Sequence, residues 1–195
     1  MTDLFQEPED ATPLAPEERD GLRLSWVTTR ADLNVAEQDN IDKGAAWAFR
    51  ARRRDMLTVD FALQLHKHMF GDVWTWAGQY RRTERNIGIA PYLIGVQTGQ
   101  LMGDATYWVE HETYQPIELA VRLHHKLVFI HPFPNGNGRH ARLMADLLLQ
   151  RLGVPALSWG GGSLNDLTAL RRGYVDALRL ADREDYEALI AFAQS

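Results

Sequence analysis

Twelve residues, HPFPNGNGRHAR, run from His131 to Arg142 and bring together two histidines, two arginines, two asparagines, two prolines and two glycines. Such a run packs badly into a core, but its order suits chemistry on an anion. Glycines at 136 and 138 let the backbone turn tightly and leave amides uncovered. Those amides head the helix that follows, and a helix N-terminus with bare N–H groups holds anions. Arg139 and Arg142 are three apart and can share one helix face. Two guanidiniums beside free amides suit a polyphosphate better than a single carboxylate. His131 ends the preceding helix one turn of chain away, and an unperturbed imidazole, with a pKa near ~6.5, can take a proton at neutral pH. A base beside a polyphosphate site points to phosphoryl or nucleotidyl transfer. The plain alternative is a glycine-rich connection with solvated arginines. The turn, both arginines and the upstream histidine occurring together weigh against it.

The elements that must position these groups are mostly helices. Leu33, Ala36, Ile41, Ala45, Ala48 and Phe49 share a face in a helix predicted over 32–54. Thr58 is a predicted N-cap for a helix that runs to Phe70 and stops at Gly71. TERNIGIAPYLIGV reads as a small β-hairpin. Helices are predicted at 97–111 and 116–130, the second starting at Pro116. HARLMADLLLQRLG is an apolar helix capped by Gly153, and two more follow at 164–182 and 184–193. His124 and His125 read as packing or hydrogen-bonding groups beneath the motif rather than metal ligands, and His66 and His68 as structural or solvated. The basic run RARRR at 50–54 suits a helix C-terminus, and the tryptophans suit the core.

Composition sets the outer limits. At 195 residues the chain fits one domain, and 45% hydrophobic residues supply a core. A net charge of −5 gives no support to a nucleic-acid surface, so no direct nucleic-acid partner is expected. The absence of cysteine excludes disulfides and thiolate zinc sites and fits a cytoplasmic protein. MTDLFQEPEDATPLAPEERDGL has neither basic n-region nor apolar core, so a disordered acidic arm is expected over 1–22, with the folded domain over 23–195. No apolar run reaches the ~18 residues a membrane span needs.

His131 to Arg142 closely resembles the Fic signature HPFx[DE]GNGRxxR, departing only at Asn135. WAGQYRRTERNIGI resembles the segment entering the Fic flap, and YVDALRLADREDYEALIAFA the closing helices, so the resemblance covers about 30–193. The acidic start and HHKLVFIHPFPNGNGRHARLMADLLL resemble the subgroup called mobile mystery protein B, a bacterial group linked to toxin–antitoxin systems. The resemblance implies a mainly α fold, a helical bundle with a short β-hairpin flap beside the active-site loop. It implies transfer of AMP from ATP to a hydroxyl of a target protein, with Mg2+ or Mn2+. His131 would be the general base and Phe133 the loop anchor. Gly136, Asn137, Gly138, Arg139 and Arg142 would hold phosphates. Ile87, Gly88 and Ile89 of the flap would align the target by strand addition. Asn135 stands where the family places a metal-binding carboxylate, which leaves open transfer of UMP, phosphate or phosphocholine, or a silent nucleotide-binding role. Gly138 argues against the phosphotransferase branch, which resembles HxFx[DN]ANK. The family's self-inhibition motif, [ST]xxxE[GN], has no strict match. The stretch from Leu33 to Asn40, holding Glu37, is a degenerate candidate, and a separate inhibitory or DNA-binding partner is the other route to restraint.

Overall fold

The computed structural model describes residues 14–50, 56–161 and 167–195. Eight helices occur among them: α1 (Pro16–Arg19), α2 (Arg30–Arg50), α3 (Val59–Phe70), α4 (Ile94–Glu110), α5 (Pro116–Ile130), α6 (Asn137–Arg151), α7 (Leu167–Ala181) and α8 (Glu187–Gln194). Local chemistry sets several of their ends. The Asp32 amide donates to Thr29 Oγ1 (3.2 Å) and the Thr29 amide donates to Asp32 Oδ2 (2.9 Å), a reciprocal cap that opens α2. Thr58 caps α3 by accepting from the Phe61 amide, and α3 stops at Gly71, as predicted. Pro116 opens α5 with its φ already set.

α5 and α6 form the central hairpin. Leu119, Leu123, Leu127 and Ile130 of α5 and Ala141, Met144 and Leu148 of α6 are buried in the main core, which α2, α3 and α4 complete. Their other faces, through Val121, Ala145 and Leu149, meet Ala177, Ala181, Tyr186 and Leu189 in a second cluster with α7 and α8. The loop 131–136 therefore sits between two helices fixed on both sides. Along α4 the order is different: Gly95, Gly99 and Gly103 lie on its exposed side, and Gly99 and Gly103 have open space where a side chain would be.

Two expectations need correction. The hairpin predicted over 84–96 is absent, and no strand occurs among the described residues, only an isolated bridge between Leu22 and Trp74. Pro91 starts a 3-10 turn (Pro91–Leu93) that runs straight into α4. Upstream of it, the Ile89 carbonyl accepts from the Arg81 guanidinium and the Ile89 amide donates to the Ile130 carbonyl (3.4 Å). Groups that a ladder would need are spent on a side chain and a helix end. The second correction concerns the arm expected over 1–22. Residues 1–13 lie outside the described residues. From Leu14 the chain is packed: Leu14 is buried, α1 follows, and the Trp76 indole donates to the Glu18 carbonyl (2.9 Å). Of the basic run at 50–54, only Arg50 is described.

α2 crosses α3 closely at Gly44, where a Cβ would meet the Met69 backbone at 2.8 Å. Asn40 ties the same crossing, donating to the His68 carbonyl (2.9 Å) and accepting from the Asp72 amide (2.8 Å). Ala is the better helix former by about 1 kcal/mol, yet here it forces two backbones apart, an overpacking cost of about 1–3 kcal/mol. Gly44→Ala is therefore expected to lower the urea midpoint, and a higher midpoint would show that the crossing yields freely.

Candidate active site

α5 ends on His131, which takes a left-handed conformation (φ 54°, ψ 60°) while its amide donates to the Leu127 carbonyl (3.0 Å). This backbone is uncommon for a residue with a Cβ. The chain then passes Phe133, buried with its ring stacked on His66 at 3.7 Å and edge-on to His140 at 5.0 Å. Gly136 provides the second left-handed turn (φ 80°), and a Cβ there would meet the Phe70 ring at 2.4 Å, so glycine is required twice over. α6 starts immediately after it.

Side chains staple this loop from below. Asn137 accepts from the Phe133 amide (2.9 Å) and donates to the Phe133 carbonyl (2.8 Å). Both ends of its amide thus brace the loop. The Gly78 amide donates to His66 Nδ1 (2.9 Å), which leaves Nε2 to carry the proton and donate to the Asn135 carbonyl (3.0 Å). His140 Nε2 donates to the Ala62 carbonyl (3.0 Å). Burial holds His66 well below the ordinary histidine range and puts His140 at about 4. His66 is therefore a loop support that sequence spacing placed only in a generic structural role.

The anion-binding end of α6 differs in detail from the expectation. The Gly136 amide donates to Asn135 Oδ1 (2.6 Å), so it is capped rather than open. The amides of Asn137, Gly138 and Arg139 form the first turn of α6 and have no partner among the described residues, which keeps the N-terminal anion site with Gly138 inside it. Arg139 lies over the Phe70 ring (5.0 Å) and donates to Glu37 Oε2 (2.9 Å), whereas Arg142 lies over the Tyr174 ring (5.0 Å). The two guanidiniums turn to α3 and α7 respectively, on either side of the loop. Tyr174 in turn hydrogen-bonds His124 (2.9 Å), and His125 reaches Asp182 (2.9 Å) and Tyr186 (3.1 Å), as packing groups would.

His131 itself is almost buried. Burial pushes it down to about 4, with the Arg81 and Arg85 cations adding to the shift and the Val128 carbonyl opposing it. The ring is neutral through the whole physiological range, and the same burial makes it a weaker proton acceptor than a solvated imidazole. Ile87 is exposed, and Gly88 (φ 90°) lies against His131, where a Cβ would come within 2.5 Å of the histidine Cβ. The segment expected to meet the target thus packs against His131 at Gly88.

A metal site is not built here. Asn135 offers one neutral oxygen, already accepting from Gly136, and no group of three or more acidic or histidine side chains able to hold an ion occurs among the described residues. Magnesium asks for charged, hard oxygen ligands. The residues present do not meet that need on their own.

The Fic/DOC family profile matches residues 56–149. The chain belongs to that family. The protein adenylyltransferase fic-1 of Caenorhabditis elegans is 33% identical over 139 residues, covering 69% of this chain and 27% of the relative. The chain thus spans about a quarter of the length of that curated relative. A solved structure of Fic-1 (residues 134–508) from C. elegans superposes with a TM-score of 0.62 at 26% identity, covering 90% of this chain and 56% of that one. The Bartonella tribocorum effector BepC, with bound AMPPNP, gives a TM-score of 0.68 at 16% identity, covering 92% of this chain and 97% of that one, a likeness of fold. Against the Fic signature, one residue outside the motif stands out. Glu37 of α2 is buried at 1% exposure, accepting from the Trp74 indole (2.8 Å) and from Arg139. The degenerate stretch around Glu37 therefore does reach a motif arginine, the first of the two.

A phosphate approaching Arg139 meets that carboxylate as a competitor for the same guanidinium. Glu37→Gln keeps an acceptor for Trp74 but removes the charge, and ATP binding is expected to tighten about tenfold, equivalent to ~1.4 kcal/mol. Titration calorimetry checks this, and an unchanged Kd removes the competition. A second expectation concerns acid. His124 sits at about 3, His131 and His140 at about 4, and His66 lower than usual, all chiefly through burial, against about 6.5 when unfolded. The folded chain binds these protons more weakly, so the stability is fully present above about pH 6.5 and is lost as pH falls below it. Each histidine removes about 1.4 kcal/mol per pH unit inside that window. The urea midpoint is expected to fall steeply between pH 7.5 and pH 5, and equal midpoints would contradict the buried neutral rings.

Proposed function

We propose that this chain transfers AMP from ATP to a hydroxyl side chain of a target protein. The observation that carries the reading is the junction of α5 and α6. A neutral, nearly buried His131 stands between an exposed flap edge and a helix N-terminus with free amides, flanked by Arg139 and Arg142. Relatives named protein adenylyltransferase, and a solved relative holding AMPPNP, support a nucleoside triphosphate there.

The chemistry runs as a displacement at the α-phosphorus. The target hydroxyl oxygen attacks, its proton passes to His131, the bond from the α-phosphorus to the bridging oxygen breaks, and pyrophosphate leaves. The amides of Gly138 and Arg139 and the two guanidiniums hold charge where it develops. Magnesium is carried in this reading by the triphosphate, since the chain supplies no dedicated cage. Restraint by Glu37 within the chain is supported by its bond to Arg139. A separate inhibitory partner and a cytoplasmic setting are further expectations of the same reading.

Label from α-labelled ATP is expected on protein, with none from γ-labelled ATP. Label from the γ-position would turn the reading to phosphate transfer, and incorporation from UTP in preference to ATP to a UMP donor. ATP bound without any incorporation would leave a nucleotide-binding partner. His131→Ala is expected to bind ATP as before and to lose transfer by about 10²–10⁴-fold. Incorporation by that variant at the parental rate would sink the assignment of the base.

A further inference from the structure

A side chain outside the motif is hydrogen-bonded to the backbone of His131. Arg81 lies between α3 and α4, 2% exposed. Its Nε donates to the His131 carbonyl (2.7 Å), Nη1 to the Thr83 carbonyl (2.9 Å), and Nη2 to the Ile89 carbonyl and, at 3.5 Å, to the Ile130 carbonyl. Its own amide donates to the Pro132 carbonyl (2.9 Å). Four neutral carbonyls surround one buried cation. Two of them, from Ile130 and His131, belong to the C-terminal end of α5, where the helix dipole is negative and favours positive charge.

We propose that Arg81 is a positioning residue for the transfer reaction. Its single guanidinium clamps the flap at Thr83 and Ile89 to the backbone of His131, so that the edge receiving the target and the proton acceptor move as one unit. The proposal rests on the adenylyl-transfer reading for its catalytic consequence. Three features argue for it. The planar fork of a guanidinium spreads its donors over Nε, Nη1 and Nη2 and so spans carbonyls on both the flap and the helix end, whereas an ammonium directs all its donors from a single nitrogen. The His131 backbone is held in a conformation that costs about 1–2 kcal/mol for an L-residue, and the bond to its carbonyl is one of those that fix it. The flap meets His131 through Gly88, where a Cβ would lie 2.5 Å from the histidine Cβ and 2.8 Å from Arg81 Nη2, so the flap, base and guanidinium already touch without slack.

Charge is the second part of the clamp. The charged groups bearing on His131 are the Arg81 and Arg85 cations. Glu84 and Glu18 act on Arg81 in turn, and Glu18 pairs directly with Arg85. A cation held beside His131 adds to the burial that keeps the imidazole neutral, at the cost of its strength as a proton acceptor.

Two variants separate these parts. Arg81→Lys keeps the charge and loses the fork. Arg81→Gln loses both. The first readout needs no target: the Cε1 proton of His131, assigned by its loss in His131→Ala, is titrated by NMR. Because acid loosens the fold before the parental midpoint of about 4 is reached, each variant is read by the pH at which the resonance first leaves its neutral-form shift while the urea midpoint shows the chain still folded, and the midpoint is extrapolated from that onset. In Arg81→Gln it rises toward 6.5 without reaching it, because burial remains, and in Arg81→Lys it stays at the parental value. The second readout is incorporation from α-labelled ATP into proteins of a cell extract at saturating ATP. Arg81→Lys is expected to slow it about tenfold, as misplacing a reacting group does, with the ATP Kd unchanged because Arg81 makes no bond to the α6 N-terminus. A His131 midpoint in Arg81→Gln equal to the parental one overturns the charge part, and incorporation by Arg81→Lys at the parental rate overturns the clamp. Removing a buried guanidinium exposes Arg81→Gln to unfolding, in which case Arg81→Lys, read by both measurements, decides. A parental protein that incorporates no label overturns adenylyl transfer instead, while the titration still reports whether Arg81 sets the state of His131.

Discussion

The site depends on one backbone constraint: a helix must stop at a histidine and another must restart within a few residues, with both turns left-handed. Gly136 meets this without strain. His131 does not, and its conformation is secured by its neighbours rather than by its own preference. Everything at the junction serves that end. Asn137 closes a ring onto Phe133, Phe133 is sandwiched by histidine rings, and His66 reads the carbonyl of Asn135 while accepting from Gly78. The result is a loop whose polar groups face inward for support and whose free amides face outward.

The same junction concentrates charge in a chain that is acidic overall. Arg81, Arg85, Arg139 and Arg142 lie around the loop. Glu18 and Glu37 each answer one of them, Arg85 and Arg139. Both carboxylates come from the N-terminal third of the chain, from α1 and α2, and both are buried. The positive field around the loop is therefore already partly neutralised from within. The field belongs to the fold as a whole, since the partners of Arg85 and Arg139 lie 67 and 102 residues away in sequence.

Those separations explain what was legible in the sequence. Signals carried by neighbouring residues were readable: Thr58 and Gly71 bounded α3, Pro116 opened α5, and the His131–Arg142 run stood out through its own spacing. Phe133 was readable as an anchor because the resemblance supplied the role. Interactions closed by distant residues were not. The flap pattern of short β-prone pairs was real as composition, but the Arg81 guanidinium claimed the carbonyl of Ile89, and Pro91 began a helix where a second strand was expected. Asn137 was named for phosphate on the resemblance alone, and its side chain is found bracing Phe133 from both ends of its amide. Glu37 was visible only as a weak candidate, since its local sequence lacks the usual Ser or Thr and its partner comes from α6.

The glycines of α4 give the flap an asymmetric mounting. Upstream, the segment is bolted to a helix end by a guanidinium. Downstream, it runs into a helix whose exposed side carries Gly95, Gly99 and Gly103, each costing about 1 kcal/mol against alanine in a helix interior. No neighbouring group fills the space beside Gly99 or Gly103 to recover that cost. The flap is therefore a cantilever, fixed at the histidine and compliant at its far support. In the adenylyl-transfer reading proposed above, a target chain loads the end carried on α4 and leaves the end clamped by Arg81 and His131 together in place.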